Sequence, residues 1–207
     1  ARKSTVTEKI VTNNMNELLE RQPHTRWIGA LWRCLFKREI IEQHKIRFRF
    51  KNVNHEDELF LYECITYINS AVYIDYQGYV YINNPGSISK IHKYNVNTEW
   101  MIKAEEVFKH CLSRLDPEGV THLPILFDHM MCVEGTSYVT TGYHSDSWMP
   151  FKERIARWRY LHNSVHFQSA GANTKNKYER IIWFISRYHL YYLADPFLLI
   201  LTRFHDK

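Results

Sequence analysis

Three consecutive acids, Glu56-Asp57-Glu58, stand where a basic aromatic segment (Lys45-Ile46-Arg47-Phe48-Arg49-Phe50) gives way to an apolar run, and this junction constrains the chain most. Leu59, Phe60, Tyr62, Ile65 and Ile68 carry a helical spacing, so the acids fall on a helix N-terminus. Unpaired amides and the helix dipole favour carboxylates there by about 0.3–1 kcal/mol each, which makes capping one sufficient reason for the acids. A chemical role for the same carboxylates is the other.

The rest of the chain is read outward from that junction. Val6 to Arg21 holds Ile10, Val11, Met15, Leu18 and Leu19 at helical spacing before Pro23, so residues 1–24 read as a helical segment. Trp27 to Ile41 sets large apolar groups beside Lys37 and Arg38, in a loop or short strand leading into a helix that ends near His44. After a helix over 57–69, Ala71–Tyr76 and Tyr79–Ile82 are two β-rich runs flanking Gln77-Gly78, the pattern of a tight hairpin.

From Thr98 the pattern is helical. A 3.6-residue stripe from Met101 to Leu115 is broken by Asp116-Pro117-Glu118-Gly119. An apolar helix follows over 120–133 with Pro124 in its first turn, then a polar loop over 137–147 and a basic aromatic helix over 150–162. Tyr178 to Phe204 reads as two helices broken near Asp195-Pro196, because no stretch reaches the roughly 18–20 uncharged apolar residues of a spanning helix. Core packing, an oligomer seam or an interfacial membrane contact would each account for so apolar an end.

Composition excludes several classes. With 207 residues and 45% apolar content the chain can build a sizeable core, and it is not of the disordered kind. Seven glycines and no G-x-G-x-x-G or G-x-x-x-x-G-K-[ST] argue against a Gly-rich phosphate loop. A net charge of +5, spread in short groups, suits a nucleotide diphosphate or an acidic membrane surface as well as nucleic acid. Cys34, Cys64, Cys111 and Cys132 form no C-x-x-C pair and read as free thiols of a reducing compartment. The absence of a secretory h-region points to the cytoplasm. His162-x-x-x-His166 has the spacing of a helical metal pair but lacks a third ligand, and no metal site is assigned within the chain. For nucleic-acid binding through the helix over 151–161, no recognised module appears.

Several blocks in fixed order carry a resemblance: Trp27-x-x-x-x-Trp32-x-x-Leu35-Phe36-Lys37-Arg38-Glu39, Ile46-Arg47-Phe48, His55-Glu56-Asp57-Glu58-x-Phe60, Val72-Tyr73-Ile74 and Tyr79-Val80-Tyr81-x-x-x-Pro85-Gly86-Ser87-Ile88. Over about 65 residues this order resembles the second half of bacterial family-two glycosyltransferases of the GT-A fold. The resemblance implies an α+β chain, in which the C-terminal portion of a GT-A type α/β domain is followed by a mainly helical region. On that reading residues 1–24 are an N-terminal helical segment, 25–95 the acceptor-side part and 96–207 the helical end.

The implied activity is inverting transfer of a sugar from a nucleotide-diphosphate donor to a hydroxyl of a saccharide or lipid-linked acceptor, in bacterial surface-polysaccharide assembly. Asp57 matches the family's general base, and Glu56, beside it, would raise its pKa by like-charge repulsion and orient the loop or acceptor. His55 is implied in contact with acceptor or diphosphate, or is structural. Lys37 and Arg38 would meet acceptor or phosphates, or form a solvated face. Trp32 would stack on a sugar or base, or pack in a core. The family's nucleotide-binding half, with the Asp-x-Asp that holds a divalent Mn or Mg ion, would precede residue 1, and no Asp-x-Asp occurs in these 207 residues. This chain alone is then expected to be inactive. Peripheral contact with the inner membrane is a further expectation, and nucleic acid is not an expected partner. The competing reading is a non-catalytic helical interaction or membrane-surface docking module whose acids merely cap a helix.

Overall fold

A computed structural model describes residues 9–12, 31–74, 79–80, 82, 84, 87, 90–91, 93, 95–119 and 123–205. The described residues are mainly helical, with strands β1 (Lys9–Thr12) and β2 (Ala71–Ile74) and helices α1 (Arg38–Gln43), α2 (Glu56–Tyr67), α3 (Thr98–Leu115), α4 (Leu123–Thr140), α5 (Phe151–Asn163), α6 (Val165–Asn173), α7 (Lys177–Arg187) and α8 (Tyr191–His205). The chain divides into two compact units, one of residues 1–51, 55–85 and 104–124, the other of 52–54, 86–103 and 125–207.

The first unit is organised on α2. Its residues Leu59 to Thr66 are all buried, so the helix is enclosed on every side and is not merely faced by a core along one stripe. Ile46, Phe60 and Cys64 form a cluster against which Leu31, Phe36, Ile40, Ile41 and Tyr67 pack. Phe48 stacks on Phe60 at 4.6 Å and Phe36 meets its edge at 5.8 Å. Glu63, buried in mid-helix, is met by Arg49 at 3.1 Å, which satisfies a charge that would otherwise be costly there. Helix α1 ends without glycine: Lys45 takes φ 50°, the Lys45 N–H donates to the Glu42 carbonyl and the Ile46 N–H to that of Ile41. This is a Schellman cap, sealed by burial of Ile46.

Two expectations are corrected here. Ile10 and Val11 lie in β1, paired antiparallel with β2 in the register Lys9↔Ile74 to Thr12↔Ala71, and not in a helix; residues 13–24 lie outside the described ones. The hairpin is also not formed as read. Ala71–Ile74 is a strand, but the partner it bonds to is β1, whereas Tyr79 and Val80 carry no strand and Gln77-Gly78 lies outside the described residues. β-Propensity sets which segments extend, and packing sets which of them pair. Of the α/β portion expected over 25–95, the described residues show the strand β2, a 3-10 turn at Leu31–Arg33 and the helices α1 and α2, and the partner of β2 lies outside that range.

The second unit is built of helices. Helix α4 continues through Ser137–Thr140, read from sequence as loop, and passes into a 3-10 turn at Thr141–Tyr143, because Thr136, Tyr138 and Val139 are buried there and hold the polar stretch in register. Ser164, whose hydroxyl accepts the Phe167 N–H, separates α5 from α6, a helix that the sequence pattern does not announce. The break in the apolar end falls at Tyr188–Leu190, not at Asp195-Pro196. His189 takes φ 55°, its N–H donates to the Ser186 carbonyl and the Leu190 N–H to that of Ile185, a second Schellman cap without glycine. Pro196 sits inside α8, in its second turn, where it cannot donate to the Tyr192 carbonyl and its ring crowds that carbonyl.

Gly171 marks a close approach of two helices in this unit. A Cβ there would lie 2.6 Å from Cβ of Trp183 on α7 and closer still to its Cδ1. Gly171→Ala is therefore expected to destabilise the fold by about 1–3 kcal/mol through overpacking, despite the roughly 1 kcal/mol that alanine gains over glycine in a helix. Urea unfolding of both proteins measures this, and an unchanged or raised midpoint would show that α6 and α7 are not packed at this glycine.

Candidate functional site

The head of α2 gathers three of the six residues singled out in the sequence. His55 precedes the helix with φ 65° and ψ 15°, a left-handed conformation unusual for a residue with a side chain and unlike the extended one typical of an N-cap. Its imidazole gives the helix no capping hydrogen bond; Nδ1 lies 3.8 Å from Glu58 Oε1. Glu56 and Asp57 form the first turn and are half-buried.

Asp57 Oδ1 accepts the Glu58 N–H at 3.0 Å, so part of the capping role exists. Yet its carboxyl is held above the usual aspartate range. Burial is the main cause, the Glu58 N–H and His55 oppose it, and the charge of Glu58 adds to it. Glu56 is also raised, again chiefly by burial; the Phe50 N–H opposes and Asp57 adds. One Glu56 oxygen, Oε2, is buried with no hydrogen-bond partner. The mechanism expected for Asp57 is thus corrected: desolvation leads, and the like charge that assists is that of Glu58.

The cations of the preceding segment are committed elsewhere. Arg47 pairs with Glu42 at 2.6 Å and Arg49 with Glu63 at 3.1 Å. Among the described residues neither Glu56 nor Asp57 forms an ion pair with Lys or Arg. The site is a pair of half-buried carboxyl groups that, among the described residues, no Lys or Arg holds ionised, and carboxyls raised by burial suit proton uptake better than electrostatic binding of an anion.

The other three residues sit on elements packed against α2 but are not drawn to its carboxylates. Lys37 is the exposed N-cap of α1, and Arg38 lies 4.0 Å from Glu42. Trp32, on the 3-10 turn Leu31–Arg33, stacks on Tyr79 at 4.2 Å with the Arg33 guanidinium 4.5 Å from its ring centre. It is 42% exposed, so it is not a core tryptophan. Trp27 lies outside the described residues.

The metal pair suggested by the spacing of His162 and His166 does not form. The two belong to different helices, and each has its own partner: His166 Nδ1 is 2.7 Å from Asp128 Oδ1, and His162 Nδ1 is 3.1 Å from the Ser186 carbonyl. Sequence reasoning missed the residues that tune the site, Glu58 and the Phe50 amide, because neither advertises a role until the loop is folded back on α2. No protein-family model matches this chain, and no curated protein or solved structure matches it either.

Proposed function

We propose that this chain is the acceptor-side and C-terminal portion of a bacterial inverting glycosyltransferase of the GT-A kind, working in the cytoplasm on surface-polysaccharide assembly. The observation that carries the reading is Asp57, a half-buried carboxyl raised by desolvation and unpaired with any Lys or Arg among the described residues, at the position the resemblance gives to the base. The acceptor hydroxyl gives its proton to Asp57 as its oxygen bonds to the anomeric carbon. The bond from that carbon to the diphosphate breaks on the opposite face, and the nucleoside diphosphate leaves with the electron pair. Glu56 orients acceptor or loop, His55 contacts acceptor or diphosphate, exposed Trp32 stacks on a sugar or base, and Lys37 and Arg38 meet acceptor or phosphates.

In the resembled family a divalent Mn or Mg ion helps the diphosphate depart. The Asp-x-Asp that holds it in that family does not occur in these residues, and no step is drawn through the ion. The test is made on the chain extended to include a nucleotide-binding half. Incubated with uridine-diphosphate sugars and a lipid-linked saccharide acceptor, it is expected to release uridine diphosphate and form a product of inverted anomeric configuration by NMR. A product of retained configuration, or no release of diphosphate with any donor, would overturn the reading.

A further inference from the structure

An unexplained apolar surface lies on α7 and α8, two helices packed against each other at the end of the second unit. Tyr178, Ile181, Phe184 and Tyr188 are exposed along α7, with Arg180 and Arg187 exposed along one border of that stripe. On α8 the exposed side chains from Tyr192 to Leu201 are Tyr192, Leu193, Pro196, Phe197, Ile200 and Leu201, none of them charged. Leu193 is 70% and Phe197 67% exposed, values that a water-facing helix seldom carries in a row.

The charge around this face is one-sided. Residues 151–205 hold nine Lys and Arg against three Asp and Glu, a net +6 where the whole chain carries +5. Two of the three acids are withdrawn: Asp195 is buried against Arg154, and Glu179 is buried under hydrogen bonds from Thr174 and Asn176. Glu153 is the one exposed acid of that stretch among the described residues. Beside the α7–α8 turn, Arg159, His162, Asn163, His189, Tyr191 and Tyr192 line an open cleft of about 560 Å³ that contains no carboxylate.

We infer that the outer faces of α7 and α8 dock on an anionic membrane surface. The helices lie in the interfacial plane, since among the described residues no helix is long and apolar enough to cross a membrane. The aliphatic and aromatic side chains enter the acyl boundary, Arg180 and Arg187 meet lipid phosphates, and the acid-free cleft takes a headgroup phosphate. Nucleic acid explains the cations but not the uncharged aliphatic face of α8, which would gain nothing against a phosphate backbone.

The inference rests on α7 and α8 and not on the transferase reading, and its test needs no donor or acceptor. The 207-residue chain is floated with vesicles of phosphatidylcholine alone or mixed with phosphatidylglycerol, at about 0.01 M and about 1 M salt, where the Debye length is about 30 Å and 3 Å. Binding to the anionic vesicles, weakened by high salt, is expected. Leu193→Ser with Phe197→Ser should weaken partition by about tenfold or more per side chain, and Arg180→Gln with Arg187→Gln by about fivefold per charge. Because all four side chains are exposed, circular dichroism should show unchanged helix in both variants. Absence of binding at low salt, equal binding to neutral vesicles, or indifference to the Leu193–Phe197 change would overturn the inference. So would tighter retention on an oligonucleotide, or a dimer in sedimentation that the same pair of serines abolishes, since either assigns the face to another occupant.

Discussion

Asp195→Ala is expected to lower the stability of the second unit by about 3–5 kcal/mol, because it strands a buried guanidinium. Arg154 and Asp195 are each 3% exposed. Arg154 Nε donates to Asp195 Oδ1 at 2.8 Å and Nη2 to Oδ2 at 2.7 Å, a two-pronged pair that ties α5 to α8. The Tyr143 hydroxyl also donates to Oδ1 at 2.9 Å and accepts the Trp158 indole N–H at 2.9 Å. A fifth contact runs from Arg154 Nη1 to the Met149 carbonyl. Removing the carboxylate leaves one full charge and one hydroxyl to be desolvated without compensation. At about 2–4 °C per kcal/mol for a chain of this size, the melting midpoint should fall by roughly 6–20 °C. Arg154→Met combined with Asp195→Leu removes both charges, and its loss should be far smaller, or reversed. A single mutant that melts like the parent would show the pair to be open to water.

That network was hidden in the sequence for a physical reason. Arg154 falls in a basic helix and Asp195 precedes a proline, so each reads locally as a surface or breaker residue; only the fold of α8 against α5 makes them partners. Much else was legible. The acid run did mark the start of α2, the stripe from Met101 gave α3, and Asp116 to Gly119 did end it. Helix ends without glycine were not, since Lys45 and His189 take the left-handed position that sequence patterns assign to glycine or asparagine. Ser137 to Thr140 looked like loop because polar side chains compete with helix; in the structure the Thr140 hydroxyl bonds back to the Thr136 carbonyl at 2.9 Å and the helix persists. For the candidate site, adjacency of Glu56 and Asp57 was legible, whereas their burial was not. Burial depends on the basic segment folding back, as Phe48 stacking on Phe60 makes plain.

Under the proposed function, Asp57→Asn should reduce transfer by the extended chain by about 10²–10⁴-fold in kcat/KM, the usual contribution of a positioned base. The change is a clean one. An asparagine retains an oxygen to accept the Glu58 N–H, so the first turn of α2 keeps its hydrogen bond while the basic carboxylate is lost. Stability should move the other way from activity. A carboxyl raised in the folded state favours folding below its unfolded pKa, and that contribution is lost as pH rises through the folded value. At neutral pH and above, therefore, the neutral amide of the Asp57→Asn protein relieves a buried charge, and the midpoint should hold or rise while turnover collapses. The parent's activity should fall toward acid with a limb above the ordinary aspartate range, and that limb should be missing from the residual activity of the variant. Glu56→Gln should leave the limb in place and slow transfer less, because the proposed function gives Glu56 a positioning role and the proton to Asp57. Turnover preserved in the Asp57→Asn protein would remove the base assignment; a lower melting midpoint at neutral pH would show instead that the carboxylate is a structural cap.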